Sequence, residues 1–495
     1  MSVSTSNPSG ASASYGTALQ VERNGINVIA EAERKGSPRD LFWPWCAANI
    51  AVLGVSYGSF LLDFGVSFSQ AVVAGVAGVL LSFLLVGFAS LAGKRGSAPT
   101  MVLSRAAFGV RGNSLPAAVS YLVLIGWETV LVSLATLATA TVFRELGWSS
   151  GNATKVIAFV VVIAVIIAAG MLGFDAIMRL QTILTVTLAV LTVGYVLLTL
   201  KHVHWHTVSS LPSGNGAAFL GTLIFSMTAF GLGWVNSGAD YSRYLPRRAS
   251  AAGVVGWTTF GASVAPVLLL VYGLLLASSD PKLAKAIGSD PIGALTTLLP
   301  TWYLVPFALV AVFGLVGGAV LDIYSSGLAL LTLGLRVPRW AAAGLDGVLM
   351  VLGTIYVVWI AQDFITPFQG FLITLGVPIS AWCGVFLADL ALRRRSYAEA
   401  DLHDAGGRYG AGNPVALASM VLGTFLGWGL VVNTLSPVFK WEGYLMNAFG
   451  LGPKSNGTWT YANVGVLVAL AVGFLGQYAF GQGRVRAQEA LISRE

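Results

Sequence analysis

Along the chain, long apolar runs alternate with short polar interruptions. The first forty residues are rich in Ser, Gly and Asn and end in a charged stretch around Glu31, Glu33, Arg34 and Lys35. From there to residue 482, apolar stretches recur, cut by charges, prolines or glycine clusters. A helix that crosses about 30 Å of hydrocarbon needs about 20 apolar residues, and it satisfies its own backbone where no water can. The pattern therefore predicts twelve spans, near 41–64, 68–93, 115–142, 154–173, 182–201, 218–236, 253–278, 301–335, 340–361, 364–391, 412–434 and 462–482. The longest polar insert, 393–411, is too short to fold alone.

Composition agrees with the pattern. Hydrophobic residues make up 56% and charged residues 10%, where a soluble chain carries about a quarter of its residues as charges. With a mean hydropathy of +0.78 this excludes disorder, a disulfide scaffold and an ordinary soluble enzyme, and predicts an all-α polytopic membrane protein. An even number of spans puts both termini on one side. The inner segments then hold 21 of the 28 Lys and Arg and the outer segments 7, the bias of cytoplasmic loops. The net charge of +7 is thus read as topology and not as a nucleic-acid surface, with both termini expected in the cytoplasm of a multi-pass plasma-membrane protein. Cys46 and Cys383 lie in apolar stretches and read as small buried side chains. His202, His204 and His206 share one outer loop without an acid nearby, so a solvated loop is expected there and no metal.

Charged groups inside the bilayer are costly and mark function first. Glu128 lies in Ile125-Gly126-Trp127-Glu128-Thr129, with about a dozen residues of helix on either side. It reads as a proton carrier or substrate ligand, the alternative being a protonated carboxyl that ties neighbouring helices. Asp322 follows Gly317-Gly318 after some twenty uncharged residues; it is a second such candidate unless it pairs with Arg336 or Arg339 at the span end. Gly54, Ser56 and Gly58 in the first span and Gly231 and Gly233 in the sixth weaken helix at corresponding positions of the two halves. In transporters such paired interruptions free backbone groups for substrate and ion; close helix packing is the other use of glycine. Trp127 and Trp234 are mid-span, away from the interfaces where tryptophans anchor, and two indoles suit a flat heterocycle. No Gly-x-x-x-x-Gly-Lys-Ser/Thr loop is present and His is scarce, which argues against ATP-driven transport and a membrane enzyme.

Four ordered motifs then resemble the nucleobase:cation symporter-1 family, in particular its purine-cytosine permease branch. They are Gly96 with Ala98-Pro99-Thr100 through Asn113-Ser114-Leu115-Pro116, Gly173-Phe174-Asp175-Ala176-Ile177-Met178-Arg179-Leu180-Gln181, Gly233-Trp234 through Tyr244-Leu245-Pro246, and Gly376-Val377-Pro378 through Ala388-Asp389. The resemblance runs from about residue 40 to 395. It implies a leucine-transporter-like fold: a tail (1–40), a first repeat (41–201), an inverted second repeat (218–391), two appended spans (412–482) and a tail (483–495). It also implies uptake of a nucleobase, cytosine or purine, by a monomeric secondary transporter without cofactor. The substrate would sit between Trp127 and Trp234, with Gly233, Ser237, Gly318 and Asp322 around it.

Two departures bear on specificity and coupling. Where relatives carry Gln or Asn four residues after the span-three Trp, this chain has Leu131, with Glu128 beside the Trp instead; an acid accepts from the N–H edge of cytosine, adenine or guanine. The family's sodium-dependent members bring span-eight hydroxyls to span-one carbonyls, yet no Ser or Thr lies between Thr301 and Ser325. Proton coupling through Glu128, Asp322 or both is therefore expected. The alternative is sodium-coupled uptake of allantoin, hydantoin, uracil or a vitamin precursor. Arg105, Asp175, Arg179, Asp240 and Arg243 at the inner ends are read either as gate ion pairs or as topology and capping charges.

Overall fold

The computed structural model describes residues 24–149, 151–170, 174–335, 337–361, 364–433, 437–455 and 457–492. Most of the expected N-terminal tail (1–23), Gly173, Arg336 and the last three residues lie outside them. The described chain is helical, and nine helices are long and apolar enough to cross a membrane: Phe68–Gly96, Ser114–Glu145, Asn152–Gly170, Phe174–His202, Gly216–Ser242, Ala251–Ser279, Thr301–Thr332, Ala341–Ile360 and Ile365–Leu392. These match the predicted spans 2 to 10. Spans 1 and 12 are bent pairs, Pro38–Asn49 with Leu53–Leu62 at 65° and Gly465–Phe480 with Gln482–Leu491 at 57°, which brings the count to eleven. The remaining predicted span is the apolar helix Pro414–Gly429, whose 16 residues fall short of a full crossing, so twelve full-length helices are not reached.

Span 1 breaks at Ile50–Val52, earlier than the sequence suggests. Gly54, Ser56 and Gly58 are helical, and the expected unwinding does not fall on them. Their smallness serves packing. A Cβ on Gly58 would stand 2.9 Å from the Cα of Gly273 in span 7, and one on Gly54 would stand 3.0 Å from Cβ of Leu269, so the two helices cross backbone to backbone. The Ser56 hydroxyl donates to the Pro291 carbonyl. Span 6 breaks where expected. The helix Gly216–Ala229 gives way to short turns over Gly231–Gly233 and Val235–Ser237 before Gly238–Ser242 resumes.

The segment between spans 2 and 3 reads as a loop but folds as a buried helix, Thr100–Phe108, with Pro99 at its N-cap and Gly109 (φ 83°) at its end. Asp240 of span 6 accepts from Thr100 N at 2.7 Å and Thr100 Oγ1 at 2.8 Å, so this acid acts as a cap.

One end of the bundle is closed by a strap, residues 24–41. Ile29 N donates to Ser97 O (2.8 Å) and Lys35 N to Tyr244 O (2.9 Å). The Arg34 side chain is buried between Glu31 and Glu399, both at 3.2 Å; Arg247 also pairs with Glu399, and Lys35 with Asp175 at 2.7 Å. The C-terminal helix reaches the same face, where Arg393 Nη2 donates to Gln488 Oε1 at 2.7 Å. This charge-rich end is called the inner face below.

Candidate functional site

Trp127 and Glu128 are neighbours on span 3, and successive side chains on a helix point about 100° apart. They therefore meet different partners. Trp127 turns to span 10, edge-to-face with Phe368 and Phe371 at centroid distances of 5.9 and 5.8 Å. With Val123, Thr228, Leu232 and Gly233 it lines a cavity of about 10 Å³. Gly233 lies directly against the indole: a Cβ there would stand 3.0 Å from Cε2 and nearer still to Nε1. A single water needs about 10–15 Å³ on this measure, so the cavity is closed to a planar base in this conformation. A larger cavity of about 440 Å³ shares Thr228 and Leu372 with it and extends to Asp63, Asn215 and Asn463 at the outer ends of the helices. The larger cavity thus lies toward the end of the bundle opposite the strap.

Trp234 turns away from Trp127 and packs edge-on against Trp45 of span 1 (5.7 Å, 90°), which also meets Tyr241 (5.4 Å, 85°). The two predicted indoles flank the same break without forming a ring pair among the described residues. The Ser237 hydroxyl donates to Trp234 O at 3.1 Å within its own turn. Gly231 N–H, freed by the break, donates to Ser82 Oγ at 3.1 Å.

Glu128 turns to spans 8 and 9 and is fully buried. Ser326 Oγ lies 2.7 Å from its Oε1 and 3.0 Å from Oδ2 of Asp346, an equally buried acid on span 9. Asp322 lies one turn before Ser326, 1% exposed, with neither oxygen hydrogen-bonded among the described residues. Gly318 lies one turn further out, where Leu131 fills the space: a Cβ on Gly318 would stand 3.0 Å from Leu131 Cδ1. Of the predicted substrate residues, Trp127 and Gly233 share the cavity. Glu128, Leu131, Gly318 and Asp322 form a neighbouring group between spans 3, 8 and 9. Among the described residues, none of the three acids forms a salt bridge.

The break in span 1 aims the carbonyls of Ala47 and Ala48 at Gly317 and Gly318, each 3.4 Å from where a Cβ would stand. Gln181 of span 5 donates from Nε2 to Gly317 O at 3.0 Å, fully buried. Asp346, Ser326 and Gln181 escaped the sequence reading. Asp346 carries the same signal as Glu128, an acid within an apolar run, but it sits near a span end where charges are common.

At the inner face Arg105 donates to Leu402 O (3.0 Å) and Thr332 O (3.1 Å), and Arg243 to Gly25 O and Tyr324 Oη (both 2.7 Å). These arginines tie span ends to the strap and to the 393–411 loop. Asp175 pairs with Lys35 of the strap.

Residues 28–452 match a family described as permeases for cytosine/purines, uracil, thiamine and allantoin. A Bacillus subtilis (strain 168) protein with the provisional name purine-cytosine permease is 25% identical over 421 residues, covering 82% of this chain and 88% of that protein. A vitamin B6 transporter of Saccharomyces cerevisiae is 26% identical over 348 residues, 65% of this chain and 58% of that one. Among solved structures, the nucleobase-cation-symport-1 family transporter Mhp1, closed around bromovinylhydantoin, superposes with TM-score 0.69 at 18% identity. The superposition covers 94% of this chain and 99% of that one. Its inward-facing form gives 0.65 at 19% identity over 97% and 96%. The fold is thus leucine-transporter-like. The chain belongs to the family of permeases for cytosine/purines, uracil, thiamine and allantoin, as a membrane-embedded secondary transporter of nucleobase-like substrates and not an enzyme.

Proposed function

We propose that the protein imports cytosine or a purine by proton symport, alternating between outward and inward access in the cell membrane, with both termini in the cytoplasm. The observation that carries the coupling ion is Glu128. It is a fully buried acid without a basic partner among the described residues, one position from the indole that lines the cavity. Such a group can take up a proton from one side and release it to the other, which is what moving a proton with a neutral base requires. The contact between spans 1 and 8 supports the same reading from the other side. It offers glycines in place of hydroxyls, and the Gly317 carbonyl already accepts from the Gln181 amide. A sodium ion would have to displace that donor and find further oxygens. The aromatic edge of Trp127 with Phe368 and Phe371 favours a flat, apolar-faced ring.

The test is uptake of radiolabelled cytosine, adenine, guanine, hypoxanthine, uracil, allantoin and pyridoxine into proteoliposomes under a proton or a sodium gradient, for wild type and Glu128→Gln. Cytosine or purine accumulation driven by protons alone and lost in the variant is the expected result. Accumulation driven by sodium, or an unimpaired variant, would overturn the proton role of Glu128. Uptake restricted to allantoin or pyridoxine would overturn the substrate assignment.

A further inference from the structure

The Ser326 hydroxyl carries a single proton, yet its oxygen lies within hydrogen-bond distance of two carboxyl groups, Glu128 Oε1 at 2.7 Å and Asp346 Oδ2 at 3.0 Å. It can donate to one of them only. For the second contact to be a hydrogen bond, that carboxyl must itself bear a proton and donate to Ser326. The geometry therefore calls for one proton shared between two acids on different helices, with the serine between them. We propose that Glu128, Ser326 and Asp346 form a proton relay, and that the proton borne by Glu128 passes through the Ser326 hydroxyl to Asp346 on its way to the inner face. In that step the Glu128 O–H bond breaks as a new bond forms to Ser326 Oγ, while the proton formerly on Ser326 moves to Asp346 Oδ2. The serine ends as it began and one proton has crossed from span 3 to span 9. This deepens the proton-symport reading and rests on it.

Depth along the helices supports the direction. Ser326 lies six residues from the inner end of its helix at Thr332, and Asp346 seven residues from the inner start of its own at Arg339, both about 10 Å in at 1.5 Å per residue. Glu128 is fourteen residues, about 21 Å along the helix, from the start of span 3 at Ser114. Of the two acids Asp346 is thus the nearer to the inner end of its own helix, and in the relay it is the one that hands the proton on toward water. A separate feature marks it as a site where charge comes and goes. The Tyr121 hydroxyl is more than nine-tenths buried, has no hydrogen-bond partner of good geometry, and lies beside Asp346, available to donate when that carboxyl is ionised. Among the described residues Glu128 Oε2 and Asp346 Oδ1 likewise have no hydrogen-bond partner of good geometry. The titratable groups that face this pair are Asp322 and Tyr121, and among the described residues no Lys, Arg or His neutralises it.

The test compares Ser326→Ala, Ser326→Thr and Asp346→Asn with wild type in proteoliposomes, using radiolabelled cytosine or whichever base of the panel the wild type carries. Counterflow, which needs binding and alternation but no net proton movement, reports that each variant is folded. A one-unit pH gradient sustains at most about tenfold accumulation at one proton per base, since one unit corresponds to a factor of ten. Wild type and Ser326→Thr should approach that ratio, whereas Ser326→Ala and Asp346→Asn, still active in counterflow, should stop near equal concentrations. Full accumulation by Ser326→Ala and Asp346→Asn would overturn the relay while leaving proton symport intact. Absence of proton-driven accumulation in wild type would instead remove the reading on which the relay rests.

Discussion

Alanine at Gly233 is the most informative single change at the cavity. Its Cβ would stand 3.0 Å from Trp127 Cε2 and 3.2 Å from Cδ1, inside ordinary carbon contact, with Nε1 closer still. The indole cannot retreat, because Phe368 and Phe371 brace its other edges at centroid distances of 5.9 and 5.8 Å. Nor does the cavity of about 10 Å³ have room for a displaced ring. Overpacking of this kind costs about 1–3 kcal/mol. That cost falls on the closed conformer, which every transport cycle passes through, so turnover should drop by about 5- to 150-fold. The control is Gly256→Ala on span 7, where an added Cβ meets nothing within 4 Å and turnover should stay at the wild-type rate. The assay is initial-rate uptake in proteoliposomes normalised to the amount of monodisperse protein. A Gly233→Ala protein with wild-type turnover and half-saturation would refute the view that span 6 must approach Trp127 this closely.

Two further predictions concern the ends of the bundle. Glu442, in the outer segment after Pro414–Gly429, is buried beside Thr374 with neither oxygen in a hydrogen bond of good geometry among the described residues, and burial pushes its carboxyl up to about 7. The folded state then keeps a proton that the unfolded chain releases above its usual value near 4.5. Stability should therefore fall as pH rises from about 4.5 to 7, by up to about 3 kcal/mol, and Glu442→Gln should flatten that profile in thermal unfolding measured across the range. Glu399→Gln removes the negative charge shared by Arg34 and Arg247 and leaves the buried Arg34 with Glu31 as its one carboxylate partner among the described residues. Losing a charged partner costs about 1–3 kcal/mol, so tryptic cleavage at Arg34 and Lys35 should accelerate several-fold; an unchanged rate would show that the strap is held elsewhere.

The spans were legible because an apolar run of about twenty residues has few other uses. What glycine does within a span was not. In span 6 Gly231 and Gly233 mark the break, whereas Gly54 and Gly58 mark the crossing with span 7, and only the neighbouring helix decides between these uses. Pro99 and Gly109 delimit the helix Thr100–Phe108 at the positions where helices begin and end, a signal visible in the sequence but hidden by the expectation of a loop. The group around Glu128 was half legible. The cost of a buried acid pointed to Glu128 and Asp322, but their meeting with Ser326 and Asp346 depends on how spans 3, 8 and 9 face one another. Likewise, adjacency in sequence paired Trp127 with Glu128, while the turn of the helix sends one to the cavity and the other to the acids.

The arginines that close the inner face bear on how such a protein can use acidity at all. Arg105, Arg243, Arg393 and Arg484 each donate to main-chain carbonyls, those of Leu402 and Thr332, Gly25, Ala106 and Tyr409. A guanidinium keeps its charge throughout the physiological range and an amide oxygen has no proton to gain or lose there, so these fastenings hold with equal strength in mildly acid or alkaline surroundings. His403, which touches Arg105, is kept below the usual imidazole range by burial and by that guanidinium. These main-chain fastenings of the inner face are therefore deaf to pH, in contrast to the carboxylate pairs that also hold the strap. If the carrier is proton-coupled as proposed, it can respond to the proton it transports without these arginine–carbonyl fastenings being loosened by acidity.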